Sequence, residues 1–225
     1  NSGYGIINVV AKEPNTIVEI TPTAPSRTGL PAGVPYTVTL SQPGDVYQVQ
    51  YQQNADISGT LVKSIASGGT GCKPIAVFSA TTWSAFDCTG ASGGDNLYQQ
   101  LFPTRPFGKN FLTAPFFQKQ YDIFRVFVTD PNTVVKRTLN GVTTTLTALQ
   151  PGRFYEFTAN TPTQIAADQP VGVVQYMTSQ TCGNTIPSDP EMIILNPVEQ
   201  TINNITVFSA HQAWVPPGQS NVNRC

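Results

Sequence analysis

Residues that could carry out catalysis are few in this sequence of 225 residues. His211 is the only histidine, and a serine-type triad would need it as the general base. No G-x-S-x-G motif or comparable nucleophile signature accompanies it. The 13 carboxylates are scattered along the chain, so a paired glycosidase site is not indicated. We therefore predict that the protein is not an enzyme and that His211 is a surface or edge-strand residue.

Metal and phosphate sites are also poorly supported. Four acidic residues stand in loop contexts where calcium could bind, namely Asp56, Asp95, Asp189 and Glu191. No D-x-D-x-D loop is present, so turn and capping roles are favoured for them. The glycine-rich segments SGGTG and GASGG neither open a helix nor carry the P-loop lysine, which excludes a phosphate cradle. We predict that the protein binds no cofactor.

The four cysteines favour two disulfides over a metal site, because no C-x-x-C pair is present. Cys72 and Cys88 flank the apolar segment KPIAVFSATTW, and a bond between them would join its two ends. Four cysteines allow three connectivities. The favoured one pairs Cys72 with Cys88 and Cys182 with Cys225, the last residue. Disulfides persist in oxidising compartments, so we expect the protein to be extracellular or on the cell surface.

Several aromatic residues lie in or next to long connections rather than in alternating strands. Exposed aromatic rings can stack on sugars or form the hot spot of a protein interface. The alternative is that they cover the ends of sheets or fill a seam inside the molecule. The candidate ligand contacts are Trp83, Phe86, Phe107 and Trp214.

Composition excludes several classes of partner. Charged residues make up 11% of the chain, against roughly 25% in an average soluble domain. The net charge is −1, so the chain lacks the basic footprint of a nucleic-acid-binding protein. The longest apolar stretches, such as PIAVF, are far shorter than the ~20 residues of a membrane span. We predict neither nucleic-acid binding nor membrane insertion.

Blocks of the sequence recur in the same order. The segments Glu13-Pro14-Asn15-Thr16 and Asp130-Pro131-Asn132-Thr133 both have the composition of a β-turn and stand 117 residues apart. Pro43-Gly44 and Pro151-Gly152 follow at an offset of 108. The apolar blocks around PIAVF and PVGVV match at 96, and DNLYQQLFP matches DPEMIILNP at 94. The matching order predicts an internal duplication in which the first copy carries extra loop residues.

Each copy has the pattern of short β-strands. In YTVTL, the residues Tyr36, Val38 and Leu40 share one face, as expected for a half-buried strand. PIAVF and PVGVV are continuously apolar, which is typical of strands buried on both faces. No segment of ten residues has a helical period, although a short helical turn is weakly indicated at residues 96–101. The pattern predicts an all-β, internally duplicated β-sandwich with jelly-roll-like units of short antiparallel strands and little or no helix.

The alignment of the two copies also predicts the domain limits. The first β-sandwich repeat spans residues 7–118, the second spans 122–215, and residues 216–225 form an extended tail. Because only three residues separate the copies, we expect them to pack closely. The N-terminal segment NSGYGI has neither an initiator methionine nor a signal-peptide pattern, so we expect a processed or excised piece of a larger protein.

Five segments resemble the IgGFc-binding protein N-terminal domain family: ADISGTLVKSIA, CKPIAVFSATTW, DNLYQQLFPTRPFGKNF, QPVGVVQYM and DPEMIILNPVEQ. The resemblance extends from about residue 8 to 210. Members of that family occur in large secreted mucus proteins of animals and in bacterial cell-surface proteins, especially those of Bacteroidota. The resemblance implies an extracellular, non-enzymatic module of the adhesion or matrix type. It does not imply antibody binding, since the matched segments are core strands and turns.

Two functions follow from these features. The first is adhesion, in which a module of a larger surface or matrix protein binds glycans or host and matrix proteins. The alternative is a structural subunit of an extracellular fibre or sheath, in which neighbouring copies exchange strands or tails. The terminal segments NSGYGIINVV and PPGQSNVNRC motivate this alternative, the first as a strand seeking a sheet edge and the second as a docking tail.

Overall fold

The protein is built almost entirely of β-strands, which confirms the predicted all-β class. The computed structural model describes residues 3–66, 71–86, 93–179 and 189–200, together with Asn204 and Thr206. These residues contain fourteen strands and a single short 3-10 helix, Val198–Gln200. The helical turn expected at residues 96–101 is wrong, because Asp95–Gln100 is a strand whose Leu97 is buried and whose backbone pairs with the preceding strand.

The first unit contains seven strands in two sheets. They are β1 (Tyr4–Ala11), β2 (Thr16–Thr21), β3 (Tyr36–Leu40), β4 (Val46–Gln53), β5 (Leu61–Ile65), β6 (Ile75–Ser84) and β7 (Asp95–Gln100). One sheet has the order β4-β1-β6-β7 and the other the order β3-β2-β5. Val9 and Tyr51 from the first sheet and Val18 and Ile20 from the second are fully buried in one core. The two sheets therefore pack face to face, as in a sandwich.

The second unit contains the remaining strands. They are β8 (Gly108–Leu112), β9 (Asp122–Val128), β10 (Val135–Leu139), β11 (Val142–Thr145), β12 (Phe154–Ala159), β13 (Thr163–Met177) and β14 (Glu191–Ile194). Their main order is β11-β10-β13-β9-β12, and both β8 and β14 also pair with β13. Phe124, Val126, Val135, Ile165 and Val173 form the centre of a second core.

The two units repeat one pairing scheme, as an internal duplication requires. The order β4-β1-β6-β7 recurs as β12-β9-β13-β14, and β3-β2-β5 recurs as β11-β10-β13. The 15-residue strand β13 corresponds to both β5 and β6 of the first unit, because its first part pairs with β10 and its second part with β9. In the first unit, residues 66–74 separate these two strands. This insertion accounts for part of the changing offset between the sequence copies.

The repeated Pro-Asn-Thr segments form equivalent turns. The Thr16 hydroxyl donates to the Glu13 carbonyl at 2.7 Å, and the Thr133 hydroxyl donates to the Asp130 carbonyl at the same distance of 2.7 Å. Both threonines are buried, so each bond satisfies a hydroxyl that is out of contact with water. Threonine at the fourth position therefore closes the turn that joins β1 to β2 in the first unit and β9 to β10 in the second.

The predicted domain limits come from sequence alignment and stay a prediction. Strand β8 lies within the predicted first repeat, 7–118, but it pairs with β13, and its Phe111 is buried in the second core. The strand that follows the first unit therefore completes the second. The predicted tail, residues 216–225, lies outside the described part of the chain.

The backbones of the two units meet at a pair of glycines. Gly59 and Gly152 have φ angles of +88° and +76°, a region that side chains other than that of glycine rarely adopt. A Cβ atom on Gly59 would lie 2.3 Å from the carbonyl oxygen of Gly152. Glycine is therefore required at residue 59 both for its backbone conformation and for the close approach of the two units.

Comparing Gly59→Ala with the control Gly29→Ala separates the cost of the backbone conformation from the cost of the close contact. Gly29 has a φ of +91°, but a Cβ atom there would have no neighbour within 4 Å. We expect Gly29→Ala to lower the free energy of unfolding by about 1–2 kcal/mol through backbone strain alone. Gly59→Ala should cost about 1–3 kcal/mol more, because the new methyl group overlaps the other unit. Chemical denaturation measures both, and equal costs would contradict the close contact.

Candidate functional site

The candidate aromatics Trp83 and Phe86 come together at a small cavity in the seam between the units. The cavity has a volume of about 140 Å³, and Arg125 and Tyr176 of the second unit also line it. Sites for small-molecule ligands usually enclose ~300–1,000 Å³. The cavity is therefore too small for such a ligand.

Arg125 occupies the centre of this seam. Its Nη1 atom lies 2.9 Å from Asp56 Oδ2 and donates to Ser58 Oγ at 2.7 Å, while its Nε donates to Glu156 Oε2 at 2.8 Å. Its guanidinium also stacks over Phe154, 4.0 Å from the ring centroid. Asp56 and Ser58 belong to the β4–β5 loop (residues 54–60) of the first unit, whereas Glu156 lies on β12. One side chain thus bonds the loop of one unit to the sheet of the other.

The Arg125 guanidinium stays charged in this position. Burial alone lowers its pKa, but Tyr176, Asp56 and Glu156 act in the opposite direction, and the pKa lies above its usual range. Burial also raises the pKa of the Tyr176 hydroxyl, which keeps that ring neutral. The seam therefore contains one cation compensated by two carboxylates.

Phe86 lies inside the seam and Trp83 lies at its rim. The Phe86 ring is 5.1 Å from that of Tyr176, measured between centroids. The Phe86 amide donates to Ser179 Oγ at 2.9 Å, and the Ser179 amide donates to the Phe86 carbonyl at 3.0 Å. Trp83 remains 45% exposed. Of these two aromatics, Trp83 is the more exposed and therefore the more accessible to a ligand.

The structure places Phe107 away from these residues. Its ring packs against β13, where a Cβ atom on Gly172 would lie 2.6 Å from Phe107 Cζ. The depression that Phe107 and Phe102 line has a volume of about 10 Å³, which is at the lower limit for a single water molecule and far too small for a ligand. Trp214 and His211 lie outside the described residues.

The predicted disulfides fall largely outside the described residues as well. Cys72 is exposed and forms no disulfide with another residue that the structure describes. Its predicted partner Cys88, and both members of the pair Cys182 and Cys225, are not described. The two pairings therefore stay predictions. Among the residues that the structure describes, no three histidine, cysteine or acidic side chains form a group that could hold a metal ion.

A larger feature that the sequence analysis missed is the outer face of the sheet β4-β1-β6-β7, called here the open face. Tyr98 on this face is 58% exposed, and its ring stacks on Phe78 with the centroids 5.4 Å apart. Asn8 Nδ2 donates to the Tyr98 hydroxyl at 3.4 Å, and Gln48 Nε2 donates to Asn8 Oδ1 at 2.8 Å. A hydrogen-bonded row thus crosses the sheet from β4 to β7.

This row fixes the orientation of the Tyr98 ring. Tyr98 lies on β7 and Asn8 on β1, and β6 runs between them. Two strand spacings amount to about 10 Å, so the hydroxyl reaches Asn8 only if the side chain lies across β6. The ring then lies along the sheet over Phe78 instead of projecting into solvent. Its exposed face forms a flat, preorganised aromatic surface.

The strand pairing places only uncharged side chains on the open face. Along the regularly paired stretch from Ile6 to Val10, the polar and aromatic ones are Asn8, Gln48, Gln50, Phe78, Tyr98 and Gln100, and the rest are Ile6, Val10, Val46, Ala76 and Ala80. Arg27 lies next to this face, where Nη1 donates to Gln50 Oε1 at 2.7 Å and the guanidinium covers the Tyr4 ring at 4.8 Å. The face therefore offers amide groups and an aromatic ring without a net charge of its own.

The second unit has the same face, but the chain itself covers it. The offset of 117 equates Asn8 with Arg125, and the offset of 108 equates Gln48 with Glu156. Each pair stands directly across neighbouring strands in its own sheet. The β4–β5 loop covers the second pair, whereas Tyr98 beside the first pair is exposed. The repeat offsets contained the signal that would have identified these residues.

Fold and site together define a two-unit β-sandwich protein with one open, uncharged sheet face. The chain belongs to the family described as IgGFc binding protein, whose model matches residues 1–222 and confirms the resemblance of the sequence motifs. Neither a curated protein nor a solved structure matches the chain. Membership of this family indicates an extracellular binding module. Within the described ranges, no helix has the length and apolarity needed to cross a bilayer.

Asp122 is a second buried ionisable side chain in the second unit. It is fully buried, and its Oδ2 atom accepts hydrogen bonds from the Phe116 amide and from Gln175 Nε2, both at 2.8 Å. The other oxygen, Oδ1, is buried and has no hydrogen-bond partner among the residues that the structure describes. Burial raises the pKa of this carboxyl group, against the hydrogen bonds and the nearby Lys119, which lower it. The charged form of Asp122 is therefore disfavoured in the folded protein.

Replacing Arg125 by alanine should weaken the seam. Its charge-assisted hydrogen bonds are each worth about 1.5–3 kcal/mol, but Asp56 and Glu156 are 46% and 43% exposed and can be rehydrated. We expect a loss of about 2–3 kcal/mol in the free energy of unfolding. The control is Lys63→Ala, which breaks the exposed ion pair with Glu19 and should cost about 0–1 kcal/mol. Similar losses in the two variants would show that Arg125 does not hold the units together.

Asp122→Asn should change how stability depends on pH. Because folding raises the pKa of Asp122, its contribution is full below the unfolded value of about 3.9 and is lost as pH rises through the folded value. Asparagine keeps an oxygen acceptor and has no such titration. From pH 4 upward, the variant should therefore gain stability relative to the wild type. Chemical denaturation across this pH range measures the free energy of unfolding, and Asp95→Asn, at an exposed position, is the control. Parallel pH profiles for Asp122→Asn and the wild type would contradict the raised pKa of Asp122.

Proposed function

We propose that this chain is a non-enzymatic adhesion module of an extracellular or cell-surface protein, which binds glycans or proteins through its open face. The observation that supports the proposal is the exposure of Tyr98, 58%, on a face whose counterpart in the second unit is covered by the β4–β5 loop. The family match supports an extracellular binding role of this general kind.

The physical properties of the open face suit a binding surface. Tyrosine is enriched at binding hot spots, because a large ring buries area while it loses little conformational freedom. The contacts of Tyr98 with Phe78 and Asn8 already restrict the ring before any ligand arrives. This preorganisation reduces the entropic cost of association.

Trp83 offers a second, smaller contact surface. It is 45% exposed at the rim of the seam, on the β6 strand that also carries Phe78 of the open face. The loop-aromatic form of the adhesion proposal assigns binding to Trp83 and to Trp214. Substituting Trp83 and Tyr98 in separate variants shows which of the two surfaces binds the ligand.

A structural role remains the alternative function that we propose. The N-terminal segment is not a free strand, because β1 is paired with β4 on one side and with β6 on the other. Assembly by exchange between copies would therefore use the tail at residues 216–225 or an edge strand. The four-residue strand β11 is one such edge, and its Val142 is 64% exposed. Size-exclusion chromatography at high concentration tests this role, and a monodisperse monomer would argue against it.

The adhesion proposal predicts that binding depends on Tyr98. Immobilised mucus and matrix glycoproteins serve as ligands, and surface plasmon resonance measures the affinity. We expect Tyr98→Ala to weaken binding at least tenfold, which corresponds to about 1.4 kcal/mol. Phe117→Ala, which removes a ring that is 83% exposed in the β8–β9 connection, should leave the affinity unchanged. Wild-type affinity in Tyr98→Ala would reject the open face, and a loss confined to Trp83→Ala would assign binding to the seam rim.

A further inference from the structure

We propose that the open face of the first unit binds a neutral saccharide, with a sugar ring stacked on Tyr98 and its hydroxyl groups bonded to the surrounding amides. This inference rests on the proposed adhesion function and names its ligand class. It follows from the orientation of one ring, the chemistry of its neighbours and a comparison of the two units.

The Tyr98 ring supplies the stacking surface. It lies flat over Phe78, tilted by 30° between ring planes, and its hydroxyl end is held by Asn8. A pyranose ring has a face made of C–H groups, which is apolar and carries partial positive charge on its hydrogens. The face of an aromatic ring carries the complementary negative potential. A flat and exposed ring therefore matches a sugar better than it matches a ligand that needs a deep pocket.

The amides beside the ring supply polar contacts. An amide group has both an N–H donor and a carbonyl acceptor, so neighbouring amides can bond a hydroxyl group, which also donates and accepts. Gln48 is exposed and fixed by its bond to Asn8, and Gln50 is fixed by its bond to Arg27. These groups are thus oriented before a ligand binds. Hydroxyl-rich ligands are the class that such a surface recognises.

The equivalent face of the second unit carries charged residues and contacts a charged group of the β4–β5 loop. There, Arg125 stands in the place of Asn8, and the chain delivers the carboxylate of Asp56 to it at 2.9 Å. Glu156 likewise stands in the place of Gln48, so the first unit has an amide at each of these two charged positions. Replacing both charged residues by amides leaves no charge at the Asn8 and Gln48 positions, and the nearby Arg27 is already bonded to Gln50 and stacked on Tyr4. We therefore expect the ligand of the first unit to be uncharged.

The test compares neutral with acidic oligosaccharides. A glycan array bearing neutral oligosaccharides of glucose, galactose, mannose and N-acetylglucosamine, and acidic ones bearing sialic or uronic acid, is probed with the whole chain. Isothermal titration calorimetry then measures the affinity of the best ligand for the wild type and for each variant. We expect binding of a neutral oligosaccharide, at least a tenfold loss in Tyr98→Ala and a loss of severalfold in Gln48→Ala.

Two further variants show whether the ring itself is responsible. Tyr98→Phe loses the hydrogen bond to Asn8 but keeps the aromatic face and the contact with Phe78 that also orients the ring, so it should retain binding within about threefold. Phe117→Ala should bind as the wild type does. Thermal denaturation confirms that each variant is folded before its affinity is interpreted. Equal losses in Tyr98→Phe and Tyr98→Ala would overturn the stacking role.

The outcomes distinguish this inference from the proposed function. Binding of glycoproteins that depends on Tyr98 but persists after enzymatic deglycosylation would overturn the saccharide inference and leave the adhesion function intact. Preference for acidic over neutral oligosaccharides would overturn the argument from charge. If no glycan or glycoprotein binds in a Tyr98-dependent manner, both proposals fail.

Discussion

The arrangement of the two units depends on the compensation of one buried cation. Arg125 lies on β9, in the sheet of the second unit, with only 15% of its side chain exposed. A buried guanidinium is costly unless its donors are satisfied. Glu156 on the neighbouring strand satisfies part of this requirement, and Asp56 and Ser58 satisfy the rest from the other unit. The seam is therefore specified by charge and hydrogen bonds, while the glycine contact between residues 59 and 152 sets how closely the backbones approach.

The same constraint explains why the two units have different surfaces. Their sheets repeat one pairing order, yet the equivalent positions carry Arg125 and Glu156 in one unit and Asn8 and Gln48 in the other. The β4–β5 loop spans residues 54–60 and reaches the charged face, whereas its counterpart between β12 and β13 is only residues 160–162. A chain with one long loop covers one face and leaves the other exposed. Duplication thus produced one covered face and one exposed face among the described residues.

The strands and turns could be predicted because their causes are local. Alternating side chains in YTVTL mark a strand, and the Pro-Asn-Thr turns close through hydroxyl bonds that span three residues, Thr16 to Glu13 and Thr133 to Asp130. Strand β8 was assigned to the first copy because its sequence follows that copy, but Phe111 is buried in the second core. Such an assignment depends on long-range pairing, which no local pattern contains.

The sequence by itself determined the all-β class, the duplication, the family and the low charge from which we predict that nucleic acid is not a partner. Only the tertiary structure decided which aromatic rings are available. Phe86 and Phe107 are only partly exposed because they pack against Tyr176 and Gly172, whereas Tyr98, which the sequence did not single out, lies on the open face and is 58% exposed. Exposure depends on which elements meet in space, and here it depends on a loop that crosses from one unit to the other.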